Sequence, residues 1–299
     1  MSGEGLLLKL HAQDLQLIGE GGNSRVYQLD ENKVVKVFHK DIPEDMVFYE
    51  KDQSMQVHAA GVCCAACYGM ARVDDCLGII YEKLGPRDLL SMIVSDNEHL
   101  QDYIGDFARQ VRSMHSKRVD TTRLKDAKQV FASYLDRLEG HLCSPWEVKK
   151  LKKICTAIPD RGTFIHGDCH PGNVLERDGK LILIDLSSCG YGHPVFDLAG
   201  MYSIYMSSAQ DEGRRKSLVP ARDFTGPECL LIWETFLRAY FEVREEAFLR
   251  KVQEQIQGFV RVRHLLRTLI VADEDLHLYE EAKQAALAYV DQDIEPLCF

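Results

Sequence analysis

The chain has 299 residues, of which 45% are hydrophobic and 27% are charged, a composition typical of folded globular proteins. Its 46 acidic and 36 basic residues give a formal net charge of −10, which argues against nucleic-acid binding as its main task. The same acidity favours a cationic ligand, although it serves solubility equally well.

The N-terminal residues resemble neither a signal peptide nor a membrane span. Their apolar run, Leu6 to Leu8, is short and is followed by Lys9 and Asp14. We therefore expect a cytoplasmic protein with no membrane partner. In that compartment the ten cysteines are expected to be reduced thiols, many of them buried. The sequence carries no indication of an oligomeric state.

The N-terminal part of the chain predicts an antiparallel sheet. Short runs in which apolar and polar residues alternate recur there, separated by turn-like segments. These runs lie at 15–19, 24–30 and 33–39. A longer apolar run at 76–84 predicts a buried strand, and Gly85-Pro86 closes it. We place a lobe boundary at this break, giving an N-terminal lobe of residues 1–84 and a C-terminal lobe of residues 85–299.

One helix is predicted to interrupt these strands. Pro43 followed by Glu44 and Asp45 is a typical helix start. The helix is expected to continue through Val57 and to end before Gly61.

The C-terminal lobe is predicted to be mostly α-helical. In the segment HLQDYIGDFARQVRSMHS, apolar residues recur every three or four positions on one face. They are Leu100, Ile104, Phe107, Val111 and Met114. Ser144-Pro145-Trp146-Glu147 is a capping box that starts another helix, and the segments after Glu245 are predicted to be helical to the end. Two β-like runs, TFIHG and KLILIDL, flank a loop in this lobe.

The strongest chemical signal is HGDCHPGNVL, residues 166–175, followed by Asp185 in LILIDLSS. Phosphoryl transfer requires a carboxylate that orients the attacking hydroxyl, and oxygen ligands that hold Mg²⁺ on the transferring phosphates. Asp168, Asn173 and Asp185 provide this set. Asp168 and Asn173 are five residues apart, the same interval as the Asp and Asn of the protein-kinase catalytic loop.

These motifs resemble the aminoglycoside phosphotransferase and choline kinase group of small-molecule kinases. The resemblance implies that Asp168 is the catalytic base, that Asn173 and Asp185 bind Mg²⁺, and that His166 braces the loop. It also implies that His170, two residues after the base, contacts the transferred phosphate. The expected fold is α+β and protein kinase-like, with a small N-terminal lobe of antiparallel sheet and one helix, and a larger, mostly α-helical C-terminal lobe.

A glycine-rich segment between two predicted strands is expected to cover the nucleotide phosphates. Gly19, Gly21 and Gly22 let the backbone approach the triphosphate, and Ser24 stands where the G-x-G-x-x-G pattern has its third glycine. Taken alone, such a segment is also a common hairpin turn. The residues that follow it give it weight.

Lys36 in the strand VVKVF and Glu50 in the next helix are expected to form the ion pair that positions the α- and β-phosphates. Glu44 is a rival for the helix partner. Glu82 and Leu84 lie where a kinase hinge offers backbone hydrogen bonds to adenine. Such contacts need no particular side chain, so the sequence does not distinguish ATP from GTP. ATP is the expected donor, and GTP stays open.

Two further features qualify the resemblance, which covers residues 15 to about 200. Leu186 follows Asp185 where the family often has an acidic or aromatic residue, so a second metal ligand is not expected from this loop, and the number of Mg²⁺ ions, one or two, stays open. Asp197 in GHPVFDLAG is expected to be a structural carboxylate that bonds to the catalytic loop.

A zinc site is an alternative for the same region, because five potential ligands are close in sequence. They are His166, Cys169, His170, Cys189 and His193. Their spacing lacks the paired elements of common structural zinc sites. Cys64 and Cys67 form a CxxC, but no second pair accompanies it.

The favoured function is transfer of the ATP γ-phosphoryl group to a hydroxyl of a small molecule. A protein kinase is less favoured, because no A-P-E-like segment follows Asp185. A nucleotide-binding pseudoenzyme acting as an interaction module is a third hypothesis, although such proteins commonly lose one of the catalytic residues. Aminoglycosides, choline-like amino alcohols, sugars and homoserine-like metabolites all remain open as acceptors.

Overall fold

The computed structural model describes residues 7–140, 143–268 and 276–299. Within these ranges the chain divides into two compact units. The first contains the residues up to Met92 together with Gly172–Ser188, and the second contains Ile93–Pro171 and Cys189–Phe299. The first unit thus continues beyond Leu84, where the sequence predicts the lobe boundary, and it includes a second, later segment of the chain.

A six-stranded sheet forms most of the first unit. The strand order is β1-β5-β6-β4-β3-β2, and every neighbouring pair is antiparallel except β1 with β5. The strands are β1 (Leu8–Leu10), β2 (Gln16–Glu20), β3 (Ser24–Gln28), β4 (Lys33–Phe38), β5 (Cys67–Val73) and β6 (Cys76–Glu82). The four predicted strands correspond to β2, β3, β4 and β6, so the predicted antiparallel sheet is confirmed, whereas β1 and β5 were not predicted.

Alternation along β4 decides which of its side chains face the helix. Val35 and Val37 belong to an apolar cluster on one face of the sheet. Phe38 packs on the opposite face, against α1 (Glu44–Ala59). Because successive side chains of a strand point to opposite faces, Lys36 lies on the same face as Phe38.

Helix α1 begins directly after Pro43, as predicted. It ends at Ala59, and Gly61 follows with a φ of 78°, a conformation that favours glycine. One face of the helix is buried against the sheet. The buried residues are Val47, Glu50, Gln53, Ser54 and Val57. The Glu50 carboxylate is thus the one charged group among these buried residues.

The remainder of the first unit contains a hairpin of β8 (Val174–Arg177) and β9 (Lys180–Leu183). Strand β8 was not predicted, because only the run that contains β9 is apolar enough to be identified. The N–H of Leu183 donates to the carbonyl of Cys63, and its own carbonyl accepts from the N–H of Ala65, both at 3.0 Å. These hydrogen bonds fix the end of β9 within the first unit.

The second unit is mostly helical, as predicted, and includes a two-stranded ribbon of β7 (Phe164–Ile165) and β10 (Gly190–Tyr191). Five residues, Tyr202–Met206, form a π-helical segment. The helices after β6 are α2 (Leu89–Ser95), α3 (Leu100–His115), α4 (Ala127–Asp136), α5 (Pro145–Leu151), α6 (Lys153–Thr156), α7 (Val195–Met201), α8 (Ser207–Gln210), α9 (Glu212–Ser217), α10 (Gly226–Phe241), α11 (Glu246–Thr268) and α12 (Leu276–Val290). None of the described helices is long and apolar enough to cross a membrane.

The predicted patterns of α3 and α5 are confirmed. All five apolar residues predicted to share a face of α3 are buried. At the start of α5, the Ser144 side chain accepts from the N–H of Glu147, and the Glu147 side chain accepts from the N–H of Ser144. These bonds satisfy N–H groups that the first turn of a helix leaves without partners.

The predicted continuation of helix to the end of the chain is wrong for residues 291–299, which follow α12 without helical structure. Pro296 has no N–H to contribute to a helix. The N–H of Leu297 donates instead to the carbonyl of Ala157 at 2.9 Å.

Candidate active site

Lys36 and Glu50 form a largely buried ion pair in the first unit. The Nζ atom of Lys36 donates to Oε1 of Glu50 at 2.8 Å, and their side chains are 15% and 5% exposed. The hydroxyl of Tyr81 also donates to Oε1 of Glu50, at 3.3 Å. The pairing expected from the sequence is therefore present. Glu44, its rival, instead accepts from Nη2 of Arg72 at 3.1 Å.

Asp185 brings a second carboxylate to Lys36. The Nζ atom of Lys36 donates to Oδ1 of Asp185 at 3.1 Å. Burial alone would lower the pKa of Lys36, but the charges of Glu50 and Asp185 outweigh it and raise that pKa above its ordinary value. Lys36 is therefore a fixed positive charge between a carboxylate from α1 and a carboxylate from the segment after β9.

The backbone at Asp185 is left-handed, with a φ of 56°. A non-glycine residue in this region costs on the order of 1–3 kcal/mol, and such residues concentrate at functional sites. The preceding N–H, of Ile184, donates to the carbonyl of Asn173 at 3.0 Å. The two predicted metal ligands thus lie on adjoining, hydrogen-bonded segments.

A cavity of about 800 Å³ in the first unit is lined by most of the predicted nucleotide and metal ligands. Gly22 is the predicted residue of this unit that does not contribute to the lining. Those that do are Gly19, Gly21, Ser24, Lys36, Glu50, Glu82, Leu84, Asn173 and Asp185. The structure therefore brings together residues that are widely separated in the sequence.

Apolar side chains also line this cavity. Sequence reasoning did not identify them, because residues of this type also fill cores. They include Ile18, Val26, Ala65, Leu175 and Leu183. A cavity lined by both apolar and charged side chains suits a ligand with a flat ring and a charged tail.

The glycine-rich turn between β2 and β3 is open. A Cβ atom at Gly22 would meet no atom within 4 Å, and one at Gly21 would come no closer than 3.8 Å, to the carbonyl of Ser24. Neither residue has the positive φ that favours glycine. Folding therefore does not require glycine here, and the space that side chains would fill is available to a ligand.

The predicted hinge segment is anchored on both sides. The N–H groups of Glu82 and Lys83 donate to carbonyls of the same unit at 2.9 and 2.8 Å. The Glu82 side chain forms an ion pair with Arg177 of β8. A Cβ atom at Gly85 would lie only 2.7 Å from the carbonyl oxygen of Glu176, so glycine permits the close approach to β8.

In the second unit, Asp197 holds the loop that carries Asp168. Its carboxylate accepts the N–H groups of His166 and Gly167, each at 2.7 Å. The Nδ1 atom of His166 accepts the N–H of Asp168 at 3.4 Å, and His166 is fully buried. The Asp168 side chain itself is 59% exposed. The contacts expected of Asp197 and His166 as structural residues are therefore present.

His115 and Tyr240 complete this network, and sequence reasoning missed both. His115 Nε2 lies 3.0 Å from Asp197 Oδ2, and its Nδ1 lies 2.8 Å from the Tyr240 hydroxyl. Burial would raise the pKa of Asp197, but the hydrogen bonds and charges of His115 and His166 together outweigh burial, and the pKa is lowered. His115 follows Val111 by four residues on the apolar face of α3, a position that marks a buried polar group.

His170 is close to the proposed base. Its Nε2 atom lies 3.8 Å from Oδ2 of Asp168, within range of electrostatic attraction but beyond hydrogen-bond distance. The contact between His170 and a transferred phosphate stays a prediction.

The zinc alternative finds no support in the described ranges, where no group of three or more His, Cys, Asp or Glu residues is arranged to hold a metal ion. His193 is engaged elsewhere, with Nε2 2.6 Å from the Phe299 carbonyl. Burial raises the pKa of Cys64 in the CxxC to about 12. A thiol with this pKa stays protonated and unreactive.

Asn173 and Asp185 fit a magnesium ion. An amide oxygen and a carboxylate are the hard ligands that Mg²⁺ prefers, and both residues line the cavity. Magnesium usually takes only one or two protein ligands and completes its shell with water and substrate phosphates. The Asp185 side chain is 44% exposed, which leaves it accessible from the cavity.

Comparison with known families agrees with this geometry. The family described as "Phosphotransferase enzyme family" (APH) matches residues 14–232, most of the chain. The chain belongs to this phosphotransferase family. Comparison of the sequence with curated proteins gives no match.

Solved structures with the same fold include kinases of small molecules. An ADP-bound aminoglycoside phosphotransferase, APH(2'')-Ib, is 14% identical with a TM-score of 0.59, covering 92% of this chain and 94% of that chain. A choline/ethanolamine kinase family protein from Mesorhizobium loti is 15% identical with a TM-score of 0.56, covering 92% of each chain. The GDP complex of aminoglycoside 2'-phosphotransferase-IIIa is 15% identical with a TM-score of 0.54, covering 93% and 92%. The predicted α+β, protein kinase-like fold of this phosphotransferase family member is thereby confirmed.

Proposed function

We propose that this chain transfers the γ-phosphoryl group of ATP to a hydroxyl of a small molecule. The observation that supports it most is the array of Lys36, Glu50 and Asp185 in the lining of the cavity of the first unit. A lysine fixed by a helical glutamate is the group that kinases use to hold the α- and β-phosphates. The array is also an unexpected outcome of folding alone, since it largely buries the charges of Lys36 and Glu50.

The donor nucleotide is proposed to bind in this cavity. Its apolar lining residues suit the base, and the backbone of the segment at Glu82 and Leu84 is proposed to hydrogen-bond the base edge. The glycine-rich turn offers open space for the phosphates. Of the related structures, one holds ADP and another GDP, so both ATP and GTP are tested as donors.

Asn173 and Asp185 are proposed to hold Mg²⁺. Bound there, the ion supplies positive charge that neutralises the phosphates of the nucleotide. Lys36 contributes a second positive charge from the protein, and its raised pKa keeps it protonated at neutral pH.

Asp168 is proposed to act on the acceptor. Its carboxylate orients the hydroxyl and takes its proton as the hydroxyl oxygen forms a bond to the γ-phosphorus. The bond from the γ-phosphorus to the bridging oxygen breaks, and ADP leaves with that oxygen. Asp197 and His166 keep the Asp168 loop in place through its N–H groups.

The test is release of ADP from Mg²⁺-ATP, or of GDP from Mg²⁺-GTP, by the purified full chain across a panel of alcohols, with Asp168→Asn alongside. Acceptor-dependent release is expected, and the variant is expected to lose about 10²–10⁴-fold in kcat while it binds ATP normally. Unchanged turnover in Asp168→Asn would contradict the assignment of the base. ATP binding without release for any small alcohol would favour the protein-kinase or pseudoenzyme hypotheses.

A further inference from the structure

Three arginines and one histidine are crowded together in the second unit. Arg263, His264 and Arg267 belong to α11, where residues three and four positions apart lie on one face, and Arg214 belongs to α9. Burial lowers the pKa of all three neighbours of Arg267, and the positive charge of Arg267 lowers each of them further. These four residues, the basic cluster, therefore act on one another as like charges.

The basic cluster forms no close ion pair with a carboxylate of the described residues. Throughout the described ranges, no carboxylate oxygen lies within 4.0 Å of a nitrogen of these four side chains. Among the described carboxylates, Asp211 acts on Arg214 from a distance, and Asp168 and Asp197 act on Arg263. Grouped cations without close counter-ions destabilise a fold, so their presence calls for a compensating role.

Arg214 is held in an unusual way. Its Nη2 donates to the carbonyl of Ser203 at 3.3 Å, within the π-helical segment Tyr202–Met206. Its Nε is buried and makes no hydrogen bond to any described residue. π-Helical turns occur frequently at functional sites, and an unsatisfied buried donor is a cost that structural residues rarely carry.

Arg263 connects the basic cluster to the loop of the proposed base. Its Nη1 donates to the carbonyl of Phe196 at 3.0 Å. The next residue, Asp197, is the one whose carboxylate holds the N–H groups of His166 and Gly167. The charge of Asp168 is close enough to act on Arg263. The basic cluster is therefore on the side of the second unit where the acceptor of an Asp168-catalysed reaction has to bind.

We propose that the basic cluster binds an anionic group of the phosphate acceptor, a carboxylate or a phosphoester on an alcohol. Guanidinium groups match both anions with paired N–H donors. This inference rests on the proposed function, because it assigns the substrate class of that same site. The net charge of the chain favours a cationic ligand, and the proposal reverses that expectation. The reason is that the local charge of the basic cluster, and not the net charge of the chain, acts on the acceptor.

Alcohols that share their hydroxyl groups and differ in charge test the proposal. One set is glycerate, glycerol 3-phosphate, glycerol and 3-amino-1,2-propanediol, and a second is gluconate, glucose 6-phosphate, glucose and glucosamine. Binding of each compound is measured by titration calorimetry with saturating Mg²⁺-ADP present, so that phosphate groups do not occupy the donor site. The carboxylates and phosphoesters within each set show which anion is preferred.

The anionic members are expected to bind about 10-fold or more tightly than the neutral member of their set, since hydrogen bonds to charged groups are the strong ones. Arg267→Ala and Arg214→Ala are expected to remove this preference. Arg267 is exposed, so its replacement spares the core. Arg261→Ala is the matched control, because Arg261 is also an exposed arginine of α11. Unlike Arg267, it does not contribute to the lowered pKa values of Arg214, Arg263 and His264. It is expected to change affinity by less than about twofold.

Three results would overturn the inference: equal or tighter binding of the amines, failure of every anionic member to bind, or an anion preference that survives in Arg267→Ala and Arg214→Ala. ADP release with the same sets separates this failure from that of the proposed function. Asp168-dependent release with amines alone would uphold the kinase and refute the anion site. Arginine-dependent binding of anions without release in any set would uphold the anion site and refute the kinase.

Discussion

The Nζ atom of Lys36 lies 3.1 Å from Oδ1 of Asp185, although 149 residues separate the two along the chain. The same Nζ lies 2.8 Å from Oε1 of Glu50. One lysine thus joins a strand, a helix and the segment that follows β9. Loss of the Asp185 carboxylate is expected to weaken the magnesium-dependent binding of ATP. Loss of the Glu50 carboxylate is expected to weaken the positioning of Lys36.

Asp185→Asn tests the metal ligand. Asparagine tolerates the left-handed backbone as aspartate does, so the substitution removes the charge and spares the conformation. The affinity for ATP in Mg²⁺ is expected to fall about 10-fold or more, with little change in EDTA. Titration calorimetry under both conditions measures the difference. If magnesium still strengthened ATP binding to the same extent in the variant, Asp185 would not be a metal ligand.

Glu50→Gln and Glu44→Gln compare the two candidate partners of Lys36 on the same helix. Glu50→Gln leaves a buried lysine with one carboxylate instead of two and is expected to lower kcat/KM for ATP about 10-fold or more. Glu44 pairs with Arg72 at the surface, and such pairs contribute little, so its variant is expected to stay within about twofold. Steady-state kinetics with varied ATP provides the comparison, and equal effects of the two substitutions would reject the specific role of Glu50.

Gly22→Ala and Gly85→Ala separate a functional glycine from a structural one. A methyl group at Gly22 meets no atom, so the free energy of unfolding is expected to change by less than about 0.5 kcal/mol, while the KM for ATP rises severalfold. At Gly85 the methyl group meets the carbonyl of Glu176, and a loss of about 1–3 kcal/mol is expected. Urea denaturation and ATP kinetics measure both. An unaltered KM in Gly22→Ala would show that the turn does not approach the phosphates.

Asp197→Asn replaces a carboxylate oxygen with an NH₂ group that faces N–H donors. We expect the variant to lose about 3–5 kcal/mol of stability at pH 7, because one remaining oxygen cannot accept from His115, His166 and Gly167 as the two carboxylate oxygens do. Both tryptophans lie in the second unit, so their fluorescence during urea denaturation reports on that unit. Asp223→Asn, at an exposed aspartate, is the control.

The pH dependence of this loss has a definite sign. The pKa of Asp197 is lower in the folded protein than its ordinary value of 3.8, so its stabilisation is fully present above about pH 4 and is lost as pH falls through the folded-state pKa. The difference between wild type and Asp197→Asn is therefore expected to shrink in strong acid. A difference that grew on acidification would mean that the pKa of Asp197 is raised by folding.

Periodic apolar patterns predicted the long elements well. The strands that were not predicted depend on pairing with a neighbouring strand. The face of α3 and the start of α5 depend on local spacing and capping, which the sequence contains. Strand β8 has four residues, two of them charged, and is stabilised by its pairing with β9. Strand β5 contains a glycine with positive φ, Gly69, where its register with β6 shifts. Neither strand has a local pattern strong enough to identify it.

Side-chain networks in the site were predictable only where a motif fixed their spacing. The Lys36–Glu50 pair follows from its position in a known order of motifs. His115 lies 82 residues from Asp197 and 125 from Tyr240 along the chain, and no spacing rule joins them. The basic cluster likewise combines Arg214 with residues of α11 through packing alone. Tertiary contacts of this kind require the structure.

The first unit is made of two separate chain segments, and this affects how it folds during synthesis on the ribosome. Residues up to Met92 are synthesised first, but β8, β9 and Asp185 belong to Gly172–Ser188. At ordinary rates of translation, synthesis of the intervening Ile93–Pro171 takes on the order of 10 s. During that interval Lys36 has Glu50 but lacks Asp185, and the cavity lacks one wall. The first unit therefore completes its fold after its own sheet has been made, when translation has passed Ser188.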